Sequence, residues 1–288
     1  MTDVDAGAAG AETKGPDAAG PRTGAAGRIP LRRLSREHVD TLAALFDPAT
    51  FHYLGELGVG AGWHCWEVGA GSGSVPRWLA ARAGASGRVL ATDIDIENLA
   101  GDADGFQVER HDLSADPPPA GGFDLVHARL VLDHIRGPER ERALGTMAAA
   151  LRPGGRILVE CADQVLQPLT CPDETGPEQE LANKVRQAIW SLNAPRGRTP
   201  FGRTLPRALR AAGFEDVRAE VRFPLAGPDP ARLQRLMVEW ARGPATAAGV
   251  LTDEEIDRHL ADLVAGRLDV AVFPVVSASG VKAAAGGG

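Results

Sequence analysis

Apolar positions along this chain follow two rhythms. The short runs "HCWEVGA", "GRVLATDID", "FQVERHDL", "FDLVHARL" and "RILVECA" are dense in branched apolar residues and bounded by glycine or proline, which predicts strands. Between them, Val75 to Ala83, a short segment at Ile96 to Leu99, and Glu139 to Leu151 carry helical spacing, the last ending in the turn "RPGG". Strands that alternate with helices predict a parallel sheet covered on both faces. Ahead of the first strand, Leu34 to Leu57 predicts helices, with Val39, Leu42, Leu45, Phe46 and Leu54 apolar and a break at Asp47-Pro48. Beyond the fifth strand, "GPEQELANKVRQAIWSLN" places Leu181, Val185, Ile189 and Leu192 on one helical face, with Trp190 alongside. "DPARLQRLMVEWAR" and "TDEEIDRHLADLVAG" predict two more amphipathic helices, the second opening on a Thr252/Glu255 capping box. These helices are expected to lay an apolar cover over the site.

The pattern divides the chain as follows. Residues 1–27 are Ala, Gly, Pro and charge, too poor in bulk to offset their ordering entropy, and are expected to be a disordered tail. Residues 28–62 form a helical cap, 63–162 a ligand-binding core, 163–280 the covering helices with the last two strands, and 281–288 a second disordered tail. A net charge of −7 removes the basic excess that nucleic acid requires, and equally offers no general steering to acidic substrates. Cys65, Cys161 and Cys171 are too few and scattered for a disulfide framework, which fits reduced thiols in a cytoplasm. No apolar run approaches the ~18 residues of a membrane span, so no membrane partner is expected.

Candidate chemistry begins at "EVGAGSG". Gly69, Gly71 and Gly73 stand where a strand gives way to a helix, so backbone N–H groups there are expected to approach a ligand closely. Asp93, at the end of the second strand, suits two vicinal ribose hydroxyls. Asp112 ends the third strand and suits an exocyclic amine such as that of adenine. Glu67 decides the sign of the ligand: its carboxylate repels a pyrophosphate and favours a ligand carrying an ammonium and a sulfonium. A nicotinamide dinucleotide also wants glycine where this chain has Ser74.

Taken together, "EVGAGSG", "ATDID", "RHDL", "FDLVHARLVLDHI" and "LRPGGRILVE", in this order and spacing, resemble the motifs of class I S-adenosylmethionine-dependent methyltransferases, and most resemble the actinobacterial small-molecule members. The resemblance covers Trp63 to Cys161 strongly. "GRTLPRALRAAGFEDVRAEVRF" resembles that family's next helix and sixth strand, and "DVAVFPVVSASG" its last, antiparallel strand. It implies an α/β fold: a Rossmann-like, seven-stranded, mostly parallel sheet with an antiparallel last strand, an N-terminal helical cap and helical lid insertions. It implies S-adenosyl-L-methionine as cofactor, with Glu67, Gly69, Ala70, Gly71 and Gly73 under its methionine part, Asp93 on the ribose, Ile94 against the adenine, Asp112 and Leu113 at the adenine amine, and the backbone at His127 and Ala128 at the cofactor's amino group.

In-line methyl transfer needs alignment more than side-chain chemistry, with a base only where the acceptor must lose a proton. Candidate bases are His134, His127 and Asp163, with Glu160 beside them. His134 is read either as a pocket residue or as a helix-start cap, and His127 as a residue meeting the cofactor through its backbone. Glu160 and Asp163 close the fifth strand, either to orient substrate or as solvated carboxylates. His111 beside Asp112 lacks further ligands at metal spacing and reads as a surface histidine, so no metal is expected. Arg129 either holds a substrate acid or bridges helices; Arg198 and Arg203 either touch a substrate carboxylate or face solvent.

The reading is thus a methyltransferase acting on a small, hydrophobic molecule of secondary-metabolite type, with no nucleic-acid partner and compatible with a homodimer. The alternatives are an enzyme that uses S-adenosylmethionine for a cyclisation or pericyclic step without methyl transfer, and an NAD-dependent oxidoreductase, which Ser74 and Glu67 disfavour.

Overall fold

The computed structural model describes residues 35–97, 99, 105–135, 137–173, 176–193 and 201–284. The expected tail at 1–27 and Arg198 lie outside the described residues.

Seven strands form one sheet: β1 (His64–Val68), β2 (Arg88–Asp93), β3 (Gln107–Arg110), β4 (Phe123–Arg129), β5 (Leu151–Ala162), β6 (Phe214–Arg222) and β7 (Val275–Lys282). Their order is β3-β2-β1-β4-β5-β7-β6, parallel from β3 to β5, with β7 antiparallel to both its neighbours. β1 is buried from Cys65 to Val68, the near-continuous burial of a parallel strand covered on both faces. On one face Trp66, Val126, Ile157 and Val159 pack with α3 (Gly137–Ala150) and α5 (Leu205–Ala211). On the other, Cys65, Val89, Leu125 and Leu158 pack with α1 (Arg36–Glu56) and α2 (Ser74–Ala83).

α1 is one helix, not two. Pro48 lies inside it, although proline removes a helical hydrogen bond. Tertiary anchoring offsets that loss: Arg129 donates to Asp47 Oδ1 at 2.7 Å and to Thr50 Oγ1 at 2.8 Å, pinning the turn on both sides of the proline. The helix expected at Ile96 to Leu99 is replaced, in its described part, by consecutive Asx turns. Asp93 Oδ1 accepts from the Asp95 amide at 3.1 Å and Asp95 Oδ1 from the Glu97 amide at 3.2 Å, and the Leu99 amide donates to the Ile96 carbonyl at 2.9 Å, a turn. The expected C-terminal tail begins too early, because Val281 and Lys282 belong to β7 and Lys282 Nζ donates to the Leu151 carbonyl at 2.6 Å.

The "LRPGG" segment enters β5 through a register shift against β4. Gly154 has φ +74°, and a Cβ on Gly155 would lie 2.9 Å from the backbone oxygens of both Arg152 and Phe123.

The apolar face of α4 (Pro177–Asn193) packs Leu181, Val185 and Ile189 against Val238 and Ala241 of α6 (Pro228–Ala247) and Ile256 of α7 (Asp253–Val264). The stripe is consumed in forming a three-helix cover, which reaches α1 through Leu233 and Phe46.

At Gly155 the obstructing atoms are backbone and cannot yield. Gly155→Ala is therefore expected to lower stability by about 1–3 kcal/mol, and Gly154→Ala by about 1–2 kcal/mol from its left-handed backbone alone, both read by chemical denaturation. Equal and negligible effects would mean that the bulge is not held as described.

Candidate functional site

The glycine loop follows β1 and is held from beneath. Gly69 and Ala70 amides donate to the Thr92 carbonyl at 2.7 and 3.0 Å, Gly73 to Ala70 at 2.9 Å, and Gly71 to Asp93 Oδ2 at 3.1 Å. These amides are spent inside the protein. The expectation that they would reach a ligand is therefore corrected, and the phosphate cradle of a dinucleotide site is not assembled from them. Gly69 must lack a side chain for another reason: at φ +68° its Cβ would lie 2.2 Å from Val131 Cγ2, which packs on it.

Asp93 and Asp112 are brought to neighbouring strand ends, where the His111 amide donates to the Asp93 carbonyl at 3.0 Å. Each Asp93 oxygen accepts one backbone bond and keeps lone-pair capacity for another donor. Asp112 Oδ1 accepts from the Ser114 amide at 2.9 Å and its hydroxyl at 2.6 Å, and these bonds hold the carboxyl below its ordinary value. Ile94, between the two acids, is 59 % exposed, an apolar surface turned outward at this crevice. Leu113 and Ala128 are instead core residues, at 4 % and 1 %, leaving their backbones as what a ligand can meet.

The side chains of Glu67, His127 and Glu160 form a buried chain across β1, β4 and β5. Glu67 Oε2 accepts from His127 Nδ1 at 2.6 Å, and His127 Nε2 lies 3.1 Å from Glu160 Oε2. Glu160 also accepts from Thr50 Oγ1 at 2.5 Å and Ser277 Oγ at 2.6 Å. Burial pulls the His127 pKa down, but the two carboxylates outweigh it and push it up to about 9. Burial raises Glu67, whereas at Glu160 the His127 imidazolium, the Arg129 guanidinium and the Ser277 hydroxyl together overcome burial and lower it. Glu67 thus finds its cation within the protein, so the sign argument drawn from its open charge does not hold as first framed. Glu160 is likewise neither solvated nor open to a substrate.

Asp163 is fully buried, with both oxygens bound by Arg203 at 2.7 and 2.8 Å and Oδ1 accepting from the Val165 amide at 3.3 Å. His134 occupies an exposed turn after β4, its amide donating to the Val131 carbonyl at 3.0 Å. Just before it, Leu130 takes φ +58° at the strand end, a strained conformation for a branched residue. His111 is half-buried, edge-on to Trp66 at 5.4 Å, with Nε2 3.0 Å from the Pro117 carbonyl. Thr50 and Ser277 were not foreseen; their only sequence signal is a hydroxyl at an apolar-rich position.

A protonated, paired His127 makes stability depend on pH. Its folded pKa lies above the ordinary 6.5, so the contribution is complete below about 6.5 and is lost as pH rises through about 9. Wild-type stability is expected to fall by about 3 kcal/mol across that window, and His127→Gln to lack this slope in denaturation at fixed pH values. Parallel curves would show that the imidazole is neutral in the folded protein.

Residues 33–219 match the family described as a methyltransferase domain. The chain is 32% identical over 123 residues to the ubiquinone/menaquinone biosynthesis C-methyltransferase UbiE of Bordetella parapertussis, covering 40% of this chain and 47% of that protein. It is 30% identical over 165 residues to the methyltransferase GfsG of Streptomyces halstedii, covering 55% of each. These matches span about half the length of the curated relatives. Among solved structures, a Haemonchus contortus phosphoethanolamine N-methyltransferase 2, in complex with phosphomonomethylethanolamine and S-adenosylhomocysteine, shares the fold at TM-score 0.50 and 14% identity, over 86% of this chain and 58% of that one. The YcgJ protein from Bacillus subtilis does so at TM-score 0.50 and 14% identity, over 78% and 93%. The cofactor that goes with this family is S-adenosylmethionine, and the acids at the ends of β2 and β3 fit its ribose and adenine. The chain belongs to the methyltransferase-domain family, whose matched residues take in the glycine loop, Asp93, Asp112 and the buried His127.

Proposed function

We propose that this protein transfers the methyl group of S-adenosylmethionine to a small, predominantly apolar molecule of secondary-metabolite type. The observation that carries the reading is the junction of Gly71 with Asp93 beside Asp112 and the exposed Ile94, at adjacent strand ends of the β3-β2-β1-β4-β5-β7-β6 sheet. In a doubly wound sheet the carboxyl ends of the strands form the ligand crevice. Internal use of the loop amides disfavours a pyrophosphate and so supports the sulfonium ligand over NAD. Similarity to UbiE and GfsG supports a small-molecule acceptor, and the mostly apolar walls of the cleft between α4 and α6 support an apolar one.

When bound, S-adenosylmethionine supplies an electrophilic methyl on a sulfonium. The chain's part is then to hold and exclude. Asp93 accepts from the ribose hydroxyls, Asp112 from the adenine amine, and Ile94 covers the ring. Beneath them, the Glu67–His127–Glu160 chain fixes the ends of β1, β4 and β5 to one another. Where the acceptor must lose a proton, His134, solvent-exposed in the turn that follows β4, is the candidate base, since His127 and Asp163 are buried.

Calorimetric titration is expected to show S-adenosylmethionine and S-adenosylhomocysteine binding while NAD does not, and Asp93→Ala is expected to weaken both by about 10-fold to 100-fold. Binding of NAD instead would overturn the reading. His134→Ala is expected to lower kcat by about 10²–10⁴-fold with cofactor affinity unchanged, measured by release of S-adenosylhomocysteine. An unaltered kcat would remove His134 from the reaction.

A further inference from the structure

A cleft lies between α4, α6 and the segment leading into β7, enclosing about 360 Å³, part of it open to solvent. Its walls are mostly apolar, with Ile189, Trp190, Leu233, Met237 and Phe273 among them. Two polar side chains interrupt those walls. Arg186 is 4 % exposed and Gln234 8 %.

Both are under-used. Arg186 donates to the Ala271 carbonyl and, at 3.4 Å, to that of Gln167, and its guanidinium stacks 4.5 Å from the centroid of Trp190. Among the described residues no carboxylate pairs with it, so a full positive charge is buried against two carbonyls and a π-face. Burial pulls its pKa down to about 10, which still leaves it charged at neutral pH. Gln234 Nε2 is buried without a hydrogen-bond partner among the described residues. A buried cation without a counter-ion and a buried amide donor without an acceptor are each costly, and here they line the same apolar cleft.

We infer that this cleft binds the anionic oxygen of an apolar organic acid, with Arg186 as its counter-ion and Gln234 as a second donor, so that the acceptor is an amphipathic molecule carrying one carboxylate or acidic hydroxyl. The role as acceptor pocket rests on the methyl-transfer reading; the binding itself does not. The cleft is joined to the crevice of the sheet: Leu233, Met237, Val272 and Phe273 pack in one cluster with Phe46 of α1 and with Leu130, the strained residue at the end of β4. An acid anchored at Arg186 would thus lie against the packed residues that reach that strand end. The space in the whole cleft that a water-sized sphere can occupy is about 20 Å³, so a larger ligand enters only as its wall gives way, and Met237, unbranched and flexible, is the side chain suited to do so. The selection is by pairing rather than attraction at a distance, since the chain's net charge is −7.

The test is calorimetry on the full chain, saturated with S-adenosylhomocysteine, using 3-phenylpropionate and its neutral amide as probes. The acid is expected to bind at least about 10-fold more tightly than the amide. Arg186→Met is expected to abolish that preference, and Gln234→Leu to weaken the acid by about 3-fold to 10-fold, with the affinity for S-adenosylhomocysteine unchanged in both. The wild-type comparison and Gln234→Leu remain decisive where Arg186→Met does not fold. Equal binding of acid and amide, binding of neither, or a preference that survives the variants overturns the inference while S-adenosylhomocysteine still binds. Loss of S-adenosylhomocysteine binding by the wild type would instead overturn the methyl-transfer reading, and the acid comparison in the free protein would then be judged separately.

Discussion

The central constraint in this molecule is one buried positive charge, the imidazolium of His127, held between the carboxylates of Glu67 and Glu160. An ion in the interior is tolerated only when it is paired and the remaining polar atoms are satisfied. Meeting that condition draws in parts from far along the chain: β1 brings Glu67, β5 brings Glu160, α1 brings Thr50 and β7 brings Ser277. Arg129, on the same strand as His127, completes the arrangement by holding Asp47 and Thr50. The N-terminal helix is therefore fixed over the strand ends by polar bonds as well as by packing, and a proline within it is tolerated.

This anchoring matters for the site because each of the three strands ends in an element of the crevice. β1 leads into the glycine loop, β4 into strained Leu130 and exposed His134, and β5 into Asp163 with its Arg203 clamp. Fixing the strands below fixes these ends above, which is the kind of support that positioned catalysis requires. The glycine loop shows the same economy. The Gly69, Ala70, Gly71 and Gly73 amides are bound internally, which fixes the shape of the loop beside the acids at the ends of β2 and β3.

The cover has a different character. α4, α6 and α7 bury their apolar faces mainly on one another, and of the polar groups at their seam Arg186 meets carbonyls but no carboxylate among the described residues, while Gln234 Nε2 has no hydrogen-bond partner among them. The sheet's buried His127 is thus paired with carboxylates, whereas the cover holds a buried cation that is not.

Much of this was legible in the residues. The order of most strands and helices and the glycine loop with Asp93 and Asp112 are written in local patterns, because apolar period, turn residues and strand-end acids depend on near neighbours along the chain, whereas the antiparallel last strand came from the family resemblance. The failures are equally physical. The described residues between Ile96 and Leu99 form turns, and the break at Pro48 was overridden by an arginine 81 positions away in the chain, on β4. The solvated carboxylate expected at Glu160 is buried, because strand order and register place it across from Ser277. By itself the sequence determined most of the strands and helices and which acids stand at the strand ends. Only the tertiary structure decided which charges pair with one another and which face a cleft unpaired, since burial and partnership depend on residues that are distant in sequence and adjacent only after folding.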